Sequence, residues 1–252
     1  MKTKNIPRIS TRGYYDLSSG KKIKNNSYYL YQKKSFQILS GKKELVIVIH
    51  GLRNDKAGAI QKFMIAKKRL KQLGYVYPVI GYSYDSNTKG AHLKKSALKA
   101  LHVGQKIAKE NGCNLSKFII DFKKKNPNTK IRLIGHSLGT EVILSAIKKL
   151  AYSSKNQGIV ESVYFFGSSL PSDILGIKKY GKLLQKIVRN RVKNYYSPID
   201  EVLKQSHKDG SVKNPLGYLG ITGKTIPKII QIRVYPKNHR FVSYVTMLKS
   251  FP

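Results

Sequence analysis

Short apolar runs alternate with longer amphipathic segments along most of the chain. The runs are rich in Val and Ile, as strands buried on both faces of a sheet usually are, and they lie at residues 44–51, 75–85, 131–135, 162–167, 192–197 and 229–235. Segments with helical spacing of apolar residues lie between them, at 55–73, 91–125, 140–151, 172–190 and 241–248. This alternation predicts an α/β fold with a mainly parallel twisted sheet and helices on both faces.

Three parts of the chain depart from the plain alternation. Residues 1–40 are polar and Tyr-rich, and they predict short N-terminal edge strands, at 28–31 and 36–39. Residues 204–228 contain four glycines and predict a mostly loop segment, which is a candidate lid. Gly112 marks a candidate interruption of a long helix. Because no repeat or low-complexity linker divides the chain, we expect a single domain over 1–252 without a large cap.

The net charge is far from that of an ordinary domain. The chain has 49 Lys and Arg against 12 Asp and Glu, a formal charge of +37, whereas a small domain usually stays within about 2–8 of zero. Such a surface attracts polyanions, so nucleic acid and anionic membrane surfaces are candidate electrostatic partners. The lysines are spread along the chain rather than gathered in a tail. This favours an adaptation of solubility or overall composition over the binding of one specific polyanion.

Several classes of protein are disfavoured by what the sequence lacks. Cys113 is the single cysteine, so no internal disulfide framework is expected, and no Cys/His cluster has the spacing of a zinc site. No apolar run approaches the roughly 20 residues of a membrane helix, and the N-terminus lacks the apolar stretch of a secretory signal. The expectation is a cytoplasmic protein, with peripheral association at anionic surfaces as an addition.

Residues 135–139 read GHSLG, which has the G-x-S-x-G spacing of a nucleophile elbow. Alone the motif is weak, because about one chain in ten of this length contains it by chance. Here it directly follows a predicted strand and opens a predicted helix, which is the context that an elbow requires. The pattern therefore favours Ser137 as a nucleophile over a plain glycine-rich turn with a capping serine.

A serine nucleophile needs a general base, and His239 is the best candidate. It follows the last predicted strand by four residues, so it should lie at the carboxyl edge of the sheet together with Ser137. His136 lies within the elbow, and its side chain is expected to point away. The remaining histidines are His50, His92, His102 and His207.

The acid that orients the base should lie between serine and histidine in the chain. Asp173 and Asp200 each follow a predicted strand and reach the correct edge. Asp200 is preferred because it lies one strand before His239, which makes the two loops neighbours. Asp173 is the reserve, and each of the two could instead only cap a helix.

The oxyanion of a tetrahedral intermediate needs two backbone N–H donors. One should be that of Leu138, the residue after the nucleophile, and the other should come from the loop after an earlier strand. In the segment HGLRND, Leu52 is the preferred donor and Arg53 is the next choice.

At this point the chain resembles the α/β-hydrolase superfamily. The resemblance rests on VIVIHGLRND, IRLIGHSLGTEVILSAI, YYSPIDEVL and YPKNHRF in that order, and it covers about residues 44–241. More narrowly, STRGYYDL and GYSYDSNT resemble a group of small archaeal α/β hydrolases. The resemblance implies a triad of Ser137, Asp200 and His239 and no cofactor. The abundance of Lys and Arg departs from the acidic members of that group, which weakens any analogy of substrate.

The sequence thus predicts a serine esterase or lipase-like enzyme that acts on a small-molecule or lipid ester. Two alternatives stay open. One is a non-catalytic binding protein on a hydrolase scaffold, since a fold does not guarantee a function. The other is a protein associated with nucleic acid or an anionic membrane, with or without activity. Acyl and alcohol specificity are not encoded in any motif of the chain.

Overall fold

A twisted eight-stranded sheet forms the centre of the structure, a computed structural model that describes residues 6–91 and 93–252. The strands are β1 (Arg8–Ser10), β2 (Tyr29–Tyr31), β3 (Glu44–Ile49), β4 (Val79–Ser83), β5 (Lys130–His136), β6 (Val160–Phe166), β7 (Val188–Tyr196) and β8 (Ile229–Arg233). Their order in the sheet is β2-β1-β4-β3-β5-β6-β7-β8. Only the β1–β2 pair is antiparallel. The predicted fold class is confirmed.

Helices cover both faces of this sheet. They are α1 (Lys33–Gln37), α2 (Lys56–Gln72), α3 (Ala97–Lys125), α4 (Gly139–Leu150), α5 (Lys182–Ile187), α6 (Glu201–Lys208), α7 (Leu216–Leu219) and α8 (Phe241–Val245). Among the described residues, no helix combines the length and hydropathy that a membrane span requires.

The core has two parts because side chains of a strand alternate between faces. In β3, Ile47 and Ile49 join the cluster beneath α3, α4 and α5, while Val46 and Val48 join the cluster beneath α2 and α8. Every residue of β3 is buried, which explains the apolar run from Leu45 to Ile49, and the buried Glu44 is paired with Arg132 at 2.9 Å.

Helix α3 is unbroken over 29 residues, so the interruption predicted at Gly112 is wrong. A Cβ placed on Gly112 would lie 2.3 Å from the Cβ of Ser145 in α4. The glycine therefore permits a close approach of two helices rather than ending one of them.

The strand predicted at 36–39 is also wrong, because residues 33–37 form the short helix α1. Phe36 and Leu39 are three residues apart, so helical geometry turns both toward the core, whereas a strand would separate them onto opposite faces. Leu39 is buried, and Phe36 packs edge-on against Phe118 of α3. The other predicted edge strand, at 28–31, coincides with β2.

Of two further segments, one differs from its prediction and one agrees with it. The helix expected over 172–190 is reduced to an irregular helical turn at 177–181 and the short α5, since Lys179 leaves helical geometry (φ −112°, ψ −105°) and β7 begins at Val188. The segment 204–228 is mostly loop, as predicted, and its helical parts are the end of α6 and the whole of α7. Leu216 in α7 is fully buried, which argues against motion of the whole segment as a lid.

Candidate active site

Ser137 occupies the sharp turn between β5 and α4. Its φ of 51° lies in the left-handed region that non-glycine residues rarely adopt. The backbone N–H of Ser137 donates to the carbonyl of Phe166 at 3.0 Å, and the side chain of Thr140 donates to the carbonyl of Ser137 at 2.6 Å. These bonds hold the strained turn in place and leave the side chain of Ser137 half-buried at the carboxyl edge of the sheet.

The glycines around this turn are required by the closeness of β3. A Cβ on Gly139 would lie 2.6 Å from the carbonyl oxygens of both Ile49 and His50. On the other side, a Cβ on Gly51 would lie 3.0 Å from the Cβ of Ser137. The loop after β3 and the N-terminus of α4 therefore lie in backbone contact, which is where an oxyanion site is expected.

The carboxylate of Asp200 lies against the ring of His239. Oδ2 of Asp200 is 2.7 Å from Nδ1 of His239, and it also accepts the hydroxyl of Tyr244 at 2.6 Å. The other oxygen, Oδ1, accepts the backbone N–H of Leu203 at 3.1 Å and so caps α6. The capping role and the partnership with a histidine, which the sequence presents as alternatives, are both present in one side chain.

Asp200 is fully buried, and burial alone would raise its pKa. The hydrogen bonds from His239, Tyr244 and the Leu203 N–H outweigh burial and hold the pKa of Asp200 below its ordinary value. The side chain is therefore a carboxylate at neutral pH. A carboxylate at Nδ1 keeps the proton of the imidazole on that nitrogen and leaves Nε2 free to act as a base.

His136 fixes the loop that carries His239. Its Nε2 donates to the carbonyl of His239 at 2.8 Å, and the two rings lie 4.9 Å apart. Burial, together with the neighbouring His239, lowers the pKa of His136 well below its ordinary value, so the ring is neutral and its one N–H is the one donated. The ring thus turns toward His239 instead of pointing away as expected from the sequence.

Within the described residues, the hydroxyl of Ser137 makes no hydrogen bond to His239 or to any other group. The contact of His136 with His239 nevertheless keeps the turn and the histidine loop side by side. Hydrogen bonds of a catalytic serine are often long without substrate and tighten when it binds. Ser137, Asp200 and His239 each follow a strand at the carboxyl edge of the sheet, where Asp200 contacts His239 and Ser137 makes no hydrogen bond to either.

The two predicted oxyanion donors have free backbone N–H groups. Neither Leu52 nor Leu138 donates its N–H to another described residue. Arg53, the second choice from the sequence, donates its N–H to the carbonyl of Ser86 at 2.8 Å. Leu52 is therefore the better candidate of the two.

A buried network that the sequence did not reveal holds the loop after β3. His50 donates from Nδ1 to the carbonyl of Gly51 at 3.0 Å, and its Nε2 accepts the backbone N–H of Tyr84 at 3.3 Å. Burial and the nearby Arg12 hold the pKa of His50 well below its ordinary value, so the ring is neutral. Asn54 completes the support through its side-chain amide, which donates to the carbonyl of Leu52 at 2.7 Å.

Arg12 connects this loop to the N-terminal segment. Its guanidinium donates to the carbonyls of Asn54 and Asp55, at 3.1 and 2.8 Å. The following backbone N–H groups, of residues 13–15, converge on the buried carboxylate of Asp85. The segment TRGYY therefore fixes the position of the loop after β3.

The other candidates from the sequence lie apart from this cluster. Asp173 is half-exposed and forms an ion pair with Lys179 at 2.9 Å. His207 packs near Tyr218, with ring centroids 6.0 Å apart. His92 lies outside the described residues. Among the described residues, no group of His, Cys, Asp and Glu side chains could hold a metal ion.

A groove of about 580 Å³ opens at the opposite, amino edge of the sheet. Its cations are Lys42, Lys43, Lys125 and Lys130. The groove contains no histidine and no cysteine, so it offers no nucleophile with a base.

Comparison with known proteins identifies one family and one curated relative. The profile of a family described as "Protein of unknown function (DUF726)" matches residues 96–248, more than half of the chain. A protein of Oryza sativa subsp. japonica, "Transmembrane and coiled-coil domain-containing protein STS1", is 32% identical over 107 residues. That match covers 42% of this chain and 15% of the rice protein.

The name of the rice relative contradicts the cytoplasmic location expected from the sequence. That expectation rested on the lack of apolar runs in these 252 residues. The composition of these 252 residues says nothing about the location of the rice protein, because the matched region is only 15% of that protein.

Solved structures with a similar backbone include esterases and cutinases. A cutinase-like protein from Cryptococcus sp. has a TM-score of 0.40 at 13% identity, covering 81% of this chain and 87% of its own. A cold-adapted esterase from an Arctic intertidal metagenomic library has a TM-score of 0.44 at 13% identity, covering 79% and 75%. The narrower resemblance to archaeal hydrolases is not supported by these matches.

Proposed function

We propose that this chain, which belongs to the DUF726 family of unknown function, is a serine hydrolase that cleaves carboxylic esters. Ser137 is the nucleophile, His239 the general base and Asp200 the orienting acid. The observation that carries the proposal is the 2.7 Å contact between Asp200 and His239, beside a serine with a left-handed φ of 51°. A small-molecule ester and a lipid ester are both candidate substrates.

The first half of the reaction forms an acyl-enzyme. Nε2 of His239 takes the hydroxyl proton of Ser137 as Oγ attacks the ester carbonyl, and the resulting imidazolium is stabilised by the carboxylate of Asp200. His239 then returns the proton to the departing alcohol oxygen as the carbon–oxygen bond breaks. Attack requires Oγ of Ser137 and Nε2 of His239 to come within hydrogen-bond distance when substrate binds.

The second half releases the acid. Water takes the place of the alcohol, and His239 removes its proton as the water oxygen attacks the acyl carbon of the Ser137 ester. The bond between that carbon and Oγ of Ser137 then breaks, His239 returns the proton to Oγ, and the carboxylic acid leaves. In both halves the negative oxygen of the tetrahedral intermediate accepts the N–H groups of Leu52 and Leu138. The N-terminus of α4 adds its positive dipole end at the same place.

Hydrolysis of short-chain p-nitrophenyl esters tests the proposal. The wild-type chain should release p-nitrophenol above the uncatalysed rate, and Ser137→Ala and His239→Ala should each lower kcat by about 10⁴-fold or more. Ser145→Ala, which removes a hydroxyl on the same helix α4, is the matched control and should leave kcat unchanged. Equal activity of the Ser137→Ala and wild-type chains would refute the proposal.

One observation favours the alternative of a non-catalytic scaffold. The hydroxyl of Ser137 has no hydrogen bond to His239 in the described residues. A chain that binds esters without turning them over would keep this open geometry. Absence of turnover over a series of acyl chain lengths, with a correctly folded chain, would support that alternative.

A further inference from the structure

Exposed apolar side chains gather around the predicted acid and base. Five of them follow β7 and β8, and between 42% and 58% of each is exposed. We call this set the apolar rim: Ile199, Val202, Leu219, Tyr235 and Val242. Exposed apolar side chains are ordinary when scattered, but a group of them at a site indicates a contact surface.

Hydrogen bonds tie the segments of the apolar rim together. The N–H of Ser197 donates to the carbonyl of Gly217 at 2.8 Å, which joins the end of β7 to α7. The N–H of Val234 donates to the carbonyl of Tyr196 at 2.9 Å, which joins the end of β8 to the same place. The contact between Asp200 and His239 joins the remaining pair of loops. The segments that carry the apolar rim are therefore neighbours at the carboxyl edge of the sheet, beside Asp200 and His239.

The charges of this surface are predominantly positive. Residues 197–242 contain eight Lys and Arg and three Asp and Glu. Of the three acids, Asp200 is buried and Glu201 is paired with Lys204 at 3.2 Å. Lys237 and Arg240, on either side of His239, are exposed and form no ion pair among the described residues.

A surface that combines exposed aliphatic side chains with unpaired cations is complementary to an anionic lipid bilayer. Apolar side chains enter the interface while Lys and Arg pair with phosphate headgroups. Nucleic acid would match the cations but not the aliphatic side chains, since single strands are bound by stacking on aromatic rings, and Tyr235 is the one aromatic residue of the apolar rim. The combination favours lipid over nucleic acid.

We propose that the apolar rim docks the chain on an anionic lipid surface, with Ser137 facing acyl esters held in that surface. The docking itself does not depend on catalysis. The identity of the substrate as a lipid ester rests on the proposed function.

The opposite edge of the sheet provides a matched control. Val76 and Tyr152 lie between a helix and the following strand, at the amino edge, and are 84% and 74% exposed. The pair Val202→Ser with Tyr235→Ser removes one Val and one Tyr from the apolar rim. The pair Val76→Ser with Tyr152→Ser removes the same residue types from the far edge.

The test is co-sedimentation of the full chain carrying Ser137→Ala, so that no lipid is cleaved. Vesicles of phosphatidylcholine with phosphatidylglycerol should bind the chain, and pure phosphatidylcholine should bind it at least tenfold more weakly. The substitutions in the apolar rim should weaken binding to the anionic vesicles about tenfold or more, and the far-edge pair should change it less than twofold. Lys237→Gln with Arg240→Gln should weaken it by about fivefold for each cation removed.

Equal loss in the apolar rim and far-edge variants, or no loss in either, would overturn the proposal, because the overall charge would then explain binding. Loss of duplex DNA binding without loss of vesicle binding in the apolar rim variant would also overturn it, in favour of nucleic acid. Failure of the proposed function is separable. A chain that docks but never hydrolyses an ester refutes the hydrolase alone, and one that hydrolyses soluble esters but never sediments refutes the docking alone.

Discussion

The phenol of Tyr244 donates to Oδ2 of Asp200 over 2.6 Å. The same oxygen contacts Nδ1 of His239, so Tyr244 and His239 both hydrogen-bond to one oxygen of the carboxylate. Tyr244 is fully buried, and its ring lies within 3.0 Å of where a Cβ on Gly167 would stand. We infer that Tyr244 is a positioning residue for Asp200.

Tyr244→Phe should raise the pKa of Asp200, because it removes one of the hydrogen bonds that lower this pKa. The carboxylate would then be protonated at a higher pH on acidification, so the acid limb of the kcat/KM profile should move to higher pH. The free energy of unfolding at pH 7 should fall by about 1.5–3 kcal/mol, as for a hydrogen bond to a charged group. A change in stability without a change in the pH profile would assign Tyr244 a structural role only.

Asp200→Asn should lower kcat on the order of 10⁴-fold, because an amide cannot hold the imidazole in the required tautomer. The fold should survive, since the amide oxygen of Asn can still cap α6 by accepting the N–H of Leu203. Asp173→Asn is the control for the reserve acid and should leave kcat unchanged, because that side chain pairs with Lys179. Steady-state kinetics on the three chains decides between the two acids.

Acid should destabilise the chain through two buried histidines. Burial holds the pKa values of His50 and His136 well below the ordinary 6.5 in the folded state. Unfolding then takes up protons below pH 6.5, so the free energy of unfolding should decrease as the pH falls, by up to about 1.4 kcal/mol per pH unit for each histidine.

Urea unfolding between pH 7.5 and 5 measures this slope. His50→Asn should flatten it relative to wild type, whereas the substitution His102→Asn, at an exposed position on α3, should not. A slope that is the same in wild type and His50→Asn would contradict the assignment of a neutral, buried imidazole.

Gly139→Ala should push the elbow away from β3, because the new Cβ would lie 2.6 Å from the carbonyl oxygens of Ile49 and His50. We expect a loss of about 1–3 kcal/mol in the free energy of unfolding, together with a large fall in kcat as the N–H of Leu138 moves away from that of Leu52. Ser145→Ala is the control, since it changes a half-buried position on the same helix α4 without adding an atom beside β3. Thermal unfolding and ester hydrolysis measure the two effects.

The strands and the elbow could be predicted because they depend on residues that are close together in the sequence. A strand buried on both faces is mostly apolar, as β3 is from Leu45 to Ile49, and a strand-to-helix turn with a close neighbour must have glycines, as at Gly135 and Gly139. Chain order and strand polarity alone also indicated that Asp200 and His239 would lie at one edge.

The parts that could not be predicted depend on contacts distant in sequence. Arg12 supports the loop after β3 across about 40 residues, and nothing in its neighbours reveals that role. The carbonyl of Ser86 accepts the backbone N–H of Arg53 and not that of Leu52. This contact decides which of the two residues is the better oxyanion donor. Phe36 lies in a helix because of its packing against Phe118.

Covalent labelling of Ser137 tests the central claim most directly. A fluorophosphonate probe should add one adduct to the native chain, and peptide mass spectrometry should locate it on Ser137. Labelling should disappear in Ser137→Ala and slow strongly in His239→Ala. A native chain that stays unlabelled, or an adduct that persists in Ser137→Ala, would contradict the account.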